Sequence, residues 1–260
     1  MSSDKIIYLD HAATTPVDPE VFKVMEPYFT ENFGNSASIH LIGQKALRAV
    51  DEARHTVAEF LGCQDKEIIF TSGATESDNL AIRGVLAELT KRRGSKKEDL
   101  HVITLAIEHP AVLETCQFVE KEGYDVSYLP VEKKGIVSLE ELKKAIKDTT
   151  VLVSIMYVNN EIGTIQPIEE IGKYLKELNK QRVSNKLPKI IFHTDAVQAA
   201  PYLDCNVDKL NVDLMSLSGH KIYGPKGIGV LYVRQRTSIR AIQIGGHHEN
   251  NLRSGTLNVP

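Results

Sequence analysis

Short apolar runs alternate with helical stretches along most of this chain, and this alternation constrains the fold more than any other feature. The predicted strands are Ile68–Phe70, Val102–Leu105, Val126–Leu129, Val151–Tyr157, Ile190–Phe192, Leu214–Leu217 and Gly229–Val233. The predicted helices between the earlier strands are Asp78–Leu89, Ala111–Glu122, Leu139–Ile146 and Glu169–Leu178. Nearly continuous apolar strands separated by helices are typical of a mostly parallel sheet covered on both faces. We therefore expect an α/β fold.

The N-terminal part of the chain departs from this alternation. We predict a short strand at Ile6–Leu9, then a loop of polar and small residues over Asp10–Pro16. Helical periodicity follows over about Glu20–Phe29 and again over Leu41–Leu61, where Gly62 ends the helix. At 260 residues the chain is long enough for one large domain or two modest ones.

Composition excludes several classes of function. The net charge is −3 with both signs interspersed, so nothing indicates a nucleic-acid surface or an anionic-membrane surface. No signal-peptide segment or membrane-length apolar run is present, which predicts a cytoplasmic protein. The cysteines Cys63, Cys116 and Cys205 form no Cys-x-x-Cys pair, and His247-His248-Glu249 lacks partners at ligand spacing. We therefore predict neither a disulfide framework nor a metal site.

The stretch from Ser216 to Gly229 lies between two apolar runs and contains Lys221. A hydroxyl and an imidazole, from Ser218 and His220, precede this lysine, and glycines follow it. This arrangement suits a lysine that links covalently to a carbonyl cofactor, with Ser218 and His220 as phosphate donors. A polar hairpin that only joins two strands explains the same residues. The stretch alone does not decide between the two interpretations.

The segment Thr71–Glu76 directly follows a predicted strand and directly precedes a helix. Backbone N–H groups at a helix N-terminus form a natural seat for phosphate, and Thr75 adds a hydroxyl. Ser/Thr followed by Glu is also a helix-capping signature, so an ordinary capped helix explains the segment as well. The glycine spacing matches neither a Walker loop nor a dinucleotide fingerprint.

Four further polar residues follow predicted strands. Asp195 is placed to hold a protonated pyridine nitrogen, and Gln198 lies one helical step beyond it. An imidazole at His109 is able to stack on a flat cofactor and move protons. The Asn160 amide is able to reach a cofactor or substrate. The structural alternatives are capping by Asp195, a structural role for His109, and a backbone role for Asn160 in a turn.

Position links these candidates. Thr75, His109, Asn160, Asp195 and Lys221 each fall at or just beyond the end of a predicted strand. The carboxyl ends of parallel strands lie on one edge of a sheet, where α/β folds bind ligands. We therefore predict one shared site at that edge.

Five motifs, in this order along the chain, resemble those of the cysteine desulfurases. They are Tyr8-Leu-Asp-His-Ala-Ala-Thr-Thr-Pro16, Thr71-Ser-Gly-Ala-Thr-Glu-Ser-Asp-Asn79, Val158-Asn-Asn-Glu-Ile-Gly163, Ser218-Gly-His-Lys-Ile-Tyr-Gly-Pro-Lys-Gly227 and Arg253-Ser-Gly-Thr256. The resemblance extends from about residue 6 to residue 260. These enzymes belong to the class V aminotransferase group and use pyridoxal 5′-phosphate (PLP). The resemblance therefore implies the large domain of PLP fold type I.

The resemblance also implies roles for individual residues. Lys221 matches the cofactor-linking lysine and a base at the substrate Cα, and His109 matches the histidine that stacks on the ring. Thr256 matches a phosphate contact made across a dimer interface, which implies a homodimer. The complete set of implied cofactor-binding residues is Ala74, Thr75, His109, Asn160, Asp195, Gln198, Ser218, His220, Lys221 and Thr256.

The implied reaction converts L-cysteine to L-alanine and passes the sulfur to an enzyme cysteine as a persulfide. An acceptor such as an iron–sulfur scaffold or a transfer-RNA thiolation protein would then receive it. Relatives carry the persulfide-forming cysteine and a carboxylate-binding arginine in a small C-terminal domain, which we expect to be missing from the present 260 residues. We predict a PLP-binding large domain at 14–260, with residues 1–13 packing on the missing domain.

Two other interpretations stay open on sequence grounds. In the first, the chain is a non-catalytic PLP-binding or dimerising subunit. In the second it is a class V relative such as a selenocysteine lyase or an aminotransferase. The Asn-Asn-Glu-Ile-Gly and Arg-Ser-Gly-Thr motifs favour a desulfurase over the second interpretation.

Overall fold

A computed structural model of the protein describes residues 6–94 and 96–260. Within these residues, seven strands form one sheet in the order β1-β7-β6-β5-β4-β2-β3. The strands are β1 (Ile68–Thr71), β2 (His101–Leu105), β3 (Asp125–Leu129), β4 (Thr150–Ser154), β5 (Ile191–Asp195), β6 (Leu214–Ser218) and β7 (Gly229–Val233). The predicted strands from Ile68 onward are all present, which confirms the α/β assignment.

One strand runs against the others. β7 pairs antiparallel with both β1 and β6, whereas the pairs β2–β3, β2–β4, β4–β5 and β5–β6 are parallel. Six strands therefore point the same way, and their carboxyl ends lie on one edge of the sheet. β6 and β7 form a hairpin in which Ser218 pairs with Gly229, and its loop carries Lys221. The hairpin interpretation of this stretch is thus correct as geometry and compatible with a lysine site.

Helices cover both faces of the sheet. They are α1 (Pro19–Met25), α2 (Pro27–Thr30), α3 (Leu41–Leu61), α4 (Ala74–Arg93), α5 (Pro110–Lys121), α6 (Leu139–Ala145), α7 (Ile168–Ser184), α8 (Val207–Leu210) and α9 (His248–Asn251). Leu80 of α4 and Val112 of α5 pack into one core, while Leu61, Leu142 and Ile171 pack into the core on the other face. Burial on both faces explains the nearly continuous apolar strands.

Two predictions about the N-terminal part are wrong. Ile6–Leu9 is not a strand, because no other strand of the described chain lies beside it, and the side chain of Ile6 is 90% exposed. The helix predicted over Glu20–Phe29 is two helices, because Pro27 has no N–H to donate and begins a new one. The division into residues 1–13 and 14–260 stays a prediction, and its first five residues lie outside the described part.

No helix of the described residues is both long enough and apolar enough to cross a membrane.

Candidate active site

The turn between β1 and α4 presents a free helix N-terminus. Gly73 precedes α4 and gives it no side-chain cap, so N–H groups of the first turn keep their hydrogen-bonding capacity. Glu76 reaches back instead, and its Oε2 accepts hydrogen bonds from the Ser72 N–H at 2.8 Å and the Ser72 hydroxyl at 2.5 Å. Part of the predicted capping signature is therefore present, and it orders the turn while leaving Ala74 and Thr75 at the helix start.

Close packing fixes this turn against the sheet. A Cβ on Gly229, the first residue of β7, would lie 2.5 Å from the carbonyl carbon of Gly73. Real Cβ contacts are not this short, so a glycine is needed at the beginning of β7. The β6–β7 hairpin and the β1–α4 turn are consequently held side by side.

Lys221 is held by the loop that precedes α1. Its Nζ donates hydrogen bonds to the carbonyl oxygens of Ala12 at 2.5 Å and Ala13 at 2.7 Å. The Gln198 amide donates to the same Ala12 oxygen at 2.8 Å. Burial lowers the pKa of Lys221, and the negative charges of Asp10 and Asp195 oppose that shift only in part. Lys221 is thus oriented and easier to deprotonate than an ordinary surface lysine.

The residues just before Lys221 are also tied to the N-terminal loop. Ser218 ends β6 and is buried. His220 Nδ1 lies 3.1 Å from the Thr14 hydroxyl, and the His220 carbonyl accepts hydrogen bonds from the Thr15 N–H and hydroxyl, both at 3.0 Å. Burial lowers the pKa of His220, and the positive charge of Lys221 adds to this effect. The His220 imidazole is therefore neutral and offers one N–H donor.

Asp195 forms the carboxyl end of β5 and is 7% exposed. Its Oδ1 accepts a hydrogen bond from the Val197 N–H at 2.9 Å, which orders the turn after β5. The alternative of helix capping by Asp195 is wrong, because no helix begins here; the next helix is α8. Burial raises the pKa of Asp195, whereas the Val197 bond and the nearby His109 and Lys221 act to lower it. The side chain is therefore a buried carboxyl group that lies near Lys221 and His109.

His109 and Asn160 lie at the mouth of the same region. His109 is exposed at the N-terminus of α5, where its Nδ1 accepts a hydrogen bond from the Ala111 N–H at 3.1 Å. In the neutral ring the proton is then on Nε2. The Asn160 amide donates to the Glu161 carboxylate at 2.7 Å. Its neighbour Asn159 is the residue that orders the turn, because its Oδ1 accepts the Glu161 and Ile162 N–H groups.

These elements enclose a cavity of about 760 Å³ at the carboxyl edge of the sheet. Nine of the ten residues predicted for the site line it, namely Ala74, Thr75, His109, Asn160, Asp195, Gln198, Ser218, His220 and Lys221. The convergence at one edge is therefore present in the structure. Thr256 does not line it but lines an adjoining cleft of about 570 Å³ beside α1, which shares Ser72 and Gly227 with the cavity.

Several residues of the cavity were not predicted from the sequence. Asp10 and Ala12–Thr14 close one side of it, Asp78 borders its floor, and Lys226 lies near its rim. The signal for the first group was available, since the motif Tyr8–Pro16 carries the loop. Nothing in the spacing of Asp78 distinguishes it from any other polar residue on a helix.

The donor set has a definite chemistry. The α4 N-terminus, the Thr75 and Ser218 hydroxyls and His220 suit an anionic group such as phosphate. The Asp195 carboxylate suits a protonated ring nitrogen, and the Lys221 amine suits a carbonyl. Within residues 6–94 and 96–260, no group of three or more His, Cys, Asp or Glu is arranged to hold a metal ion.

The cysteines of the chain are not arranged as nucleophiles. Cys116 and Cys205 are buried and Cys63 is half-buried. Burial raises the pKa of each thiol to about 12, with nearby acidic side chains adding to the effect. None of the three carries a reactive thiolate at neutral pH.

The family model described as Aminotransferase class-V matches residues 7–259. The chain belongs to this family. It is 49% identical over 253 residues to cysteine desulfurase IscS of Dictyoglomus turgidum, covering 97% of this chain and 60% of that protein. It is 51% identical over 257 residues to the mitosomal cysteine desulfurase of Trachipleistophora hominis, covering 98% of this chain and 55% of that protein. The chain thus spans about 60% of the length of the curated relatives it matches.

Solved structures agree with the fold. A NifS-like protein matches with a TM-score of 0.89 and 42% identity, over 97% of this chain and 66% of that chain. SspA in complex with cysteine matches with a TM-score of 0.88 and 44% identity, over 97% of this chain and 69% of that one. The resemblance to cysteine desulfurases expected from the five motifs is confirmed.

Proposed function

We propose that this chain is the PLP-binding large domain of a cysteine desulfurase, which converts L-cysteine to L-alanine and passes the sulfur to a cysteine thiolate. The observation that carries the proposal is the convergence of Lys221, Asp195, His109 and the α4 N-terminus on one cavity. The similarity to curated cysteine desulfurases and to a structure of SspA in complex with cysteine supports the choice of substrate.

The cavity offers a suitable group for each part of PLP. Thr75, Ser218, His220 and the N–H groups at Ala74 would hold the phosphate, with Thr256 added from a second subunit. Asp195 would pair with the ring nitrogen, while Gln198 and Asn160 would lie near the ring hydroxyl or the substrate, and His109 would stack on the ring. Bound PLP would supply an electron sink for the carbanion that forms at the substrate Cα.

Lys221 would link the cofactor and then move the substrate proton. Its lowered pKa increases the fraction of neutral amine, which is the form that attacks carbonyls and accepts protons. The carbonyl oxygens of Ala12 and Ala13 hold Nζ in place. Asp195 would keep the ring nitrogen protonated, because a buried carboxylate stabilises a cation beside it.

The sulfur-accepting thiolate would come from outside the three cysteines of this chain, because burial keeps each of them protonated. We propose that a segment of the complete enzyme supplies it and that an acceptor such as an iron–sulfur scaffold receives the sulfur. The present chain alone is expected to release little or no sulfide from cysteine in the presence of a reductant. Turnover typical of a complete desulfurase would contradict this part of the proposal.

A homodimer is part of the proposal. Thr256 lies in the cleft beside α1 and does not line the cavity of its own chain. α1 exposes Phe22 and Val24, and the segment that follows exposes Phe29 and Phe33. Exposed apolar side chains in one region are typical of a protein interface. A partner bound to this surface would bring its own Thr256 to the neighbouring site.

The binding proposal is tested by adding PLP to the purified protein and recording the visible absorbance of lysine-bound cofactor. Lys221→Ala should abolish the band, while Lys226→Ala is the matched control because Lys226 borders the same cavity and should leave the band in place. A band that persists in Lys221→Ala, or that disappears only in Lys226→Ala, would contradict the assignment of the lysine.

A further inference from the structure

Three carboxyl groups from three different elements are buried together below the cavity. Asp78 belongs to α4, Glu108 lies between β2 and α5, and Asp195 ends β5. Their exposed fractions are 0%, 5% and 7%, respectively. Asp195 acts electrostatically on both Asp78 and Glu108, and Glu108 also acts on Asp78. The three groups therefore form one interacting cluster, in which three negative charges would repel each other strongly.

The hydrogen bonds of these carboxyl groups are unequal. Asp195 accepts the Val197 N–H at 2.9 Å, and Glu108 Oε1 accepts the Met156 N–H at 2.8 Å. Neither oxygen of Asp78 has a hydrogen-bond partner among the described residues, even though both are buried. An ionised carboxylate without donors is costly to bury, and protonation removes most of that cost.

The other groups that face Asp78 do not supply a positive charge. His193 of β5 approaches with Nε2 at 3.6 Å from Asp78 Oδ1. Its two ring nitrogens are already engaged with the hydroxyls of Ser154 at 2.8 Å and Ser216 at 3.1 Å. Burial lowers the pKa of His193 to about 3, so the ring is neutral. The Ser216 hydroxyl is engaged with His193 and makes no hydrogen bond of good geometry to Asp78. It favours the ionised form of Asp78 but is outweighed by burial and by the charge of Asp195.

Lys221 and His109 lie near this cluster, and they act electrostatically on Asp195 rather than on Asp78. Lys221 and His109 both favour the ionised form of Asp195, and neither contributes to Asp78. Asp195 thus has an N–H donor and lies near Lys221 and His109, whereas Asp78 has none of these. This difference indicates that Asp78, rather than Asp195, keeps its proton.

We propose that Asp78 is protonated at neutral pH and serves as a neutral positioning residue, which leaves Asp195 as the aspartate that carries the negative charge at the cavity floor. This inference rests on the proposed function for its purpose, since that charge would face the ring nitrogen of PLP. Its test is carried out on cofactor-free protein, so a failure of PLP binding and a failure of this inference give different results.

The test compares wild type with Asp78→Asn, which keeps the shape of the side chain and removes its titration. A group whose pKa is raised in the folded state keeps its proton there while the unfolded chain loses it. Wild type must then lose stability relative to the variant as the pH rises above the ordinary aspartate pKa of about 3.9. Between about pH 5 and 7, the ratio of the wild-type to the variant unfolding constant should rise by up to tenfold per pH unit.

Asp51→Asn is the matched control, because Asp51 is exposed on α3. The ratio of the wild-type unfolding constant to that of Asp51→Asn should stay constant with pH. Urea unfolding at several pH values measures all three proteins. A ratio that is also constant for Asp78→Asn would show that Asp78 is ionised in the folded protein, and it would overturn the proposal.

Infrared spectroscopy keeps the proposal testable even when Asp78→Asn does not fold. Wild-type protein labelled with ¹³C at its aspartate carboxyl groups should show an isotope-shifted band of a protonated carboxylic acid at neutral pH. The absence of any such aspartate band would overturn the proposal. Where the variant does fold, the band should disappear in Asp78→Asn and persist in Asp51→Asn.

Discussion

Two regions of this molecule bury charged side chains in opposite ways. In the C-terminal seam, formed by Arg54, Glu76, Glu249 and Arg253, each carboxylate meets a guanidinium. Glu249 binds Arg54 through two hydrogen bonds of 2.9 and 2.6 Å and also accepts the Phe70 N–H at 2.6 Å. On the cavity floor, by contrast, Asp78 is fully buried without a hydrogen-bond partner among the described residues.

The difference separates structural from functional burial of charge. The Arg54–Glu249 pair supplies an acceptor for the Phe70 N–H of β1 and holds the segment after β7 against this strand. Its role is therefore structural. The cavity floor leaves polar groups unsatisfied, which lowers stability but keeps them available to a ligand or in a chosen charge state. Removing charges from the two regions should therefore have different consequences.

The largest expected effect lies in the seam. Glu249→Ala removes the carboxylate that pairs with the Arg54 guanidinium, which keeps only its bond to the Ile68 carbonyl, and it leaves the Phe70 N–H without its acceptor. Breaking a buried ion pair in this way should lower the free energy of unfolding by about 3–5 kcal/mol. Urea unfolding measures the loss. A loss as small as that of a surface ion pair would contradict the structural role of the seam.

The next effect concerns the cavity floor and ligand binding rather than stability. Asp195→Asn removes the charge that would face the ring nitrogen of PLP. Loss of one charge-assisted hydrogen bond should weaken PLP binding by about 2 kcal/mol, or roughly 30-fold. Titration of cofactor absorbance measures the affinity. Unchanged affinity, together with an unchanged absorbance spectrum, would remove Asp195 from the site.

A smaller effect is expected where the seam meets the turn before α4. Arg253 donates to Glu76 at 2.9 Å, and Glu76 orders Ser72. Burial alone would raise the pKa of Glu76, but the bonds from Arg253 and Ser72 outweigh it and lower this pKa. A carboxylate with a lowered pKa stabilises the fold above its unfolded pKa, and this contribution is lost as the pH falls through the folded pKa.

Arg253→Ala should therefore cost about 1 kcal/mol at neutral pH, and the cost should shrink toward about pH 4. Unfolding curves for wild type and variant at the two pH values provide the measurement. A cost that does not change with pH would indicate that Arg253 acts by packing rather than by pairing with Glu76.

The smallest effect is expected for an exposed pair. Arg48 and Glu52 lie 2.7 Å apart on α3, with side chains 81% and 64% exposed. Arg48→Ala should leave the free energy of unfolding close to that of wild type, because water screens such a pair. A cost approaching that of Glu249→Ala would show that burial does not distinguish the seam from the surface.

Much of the fold was predictable because hydrophobic periodicity is local. The strands from Ile68 onward and the helices between them follow from apolar runs. The convergence of Thr75, His109, Asn160, Asp195 and Lys221 follows from parallel strand direction alone. The roles of these residues toward PLP stay predictions, supported by the resemblance to cysteine desulfurases.

The features that were not predicted depend on contacts between distant parts of the chain. Glu249 was considered only as an unlikely metal ligand, whereas the structure pairs it with Arg54, 195 residues away in sequence. The carbonyl groups of Ala12 and Ala13 that hold Lys221 leave no pattern in side-chain type. Ile6–Leu9 has the composition of a strand, but a strand also needs a neighbour, and the described chain provides none.

We propose that Lys221 is the residue that links PLP in this cavity. Incubation of the protein with PLP, reduction with borohydride and mass mapping of the peptides tests it most directly. We expect the cofactor to be trapped on the peptide that contains Lys221, and we expect Lys221→Ala to prevent trapping in the cavity. Cofactor found on Lys226 alone, or no trapped cofactor at all, would contradict it.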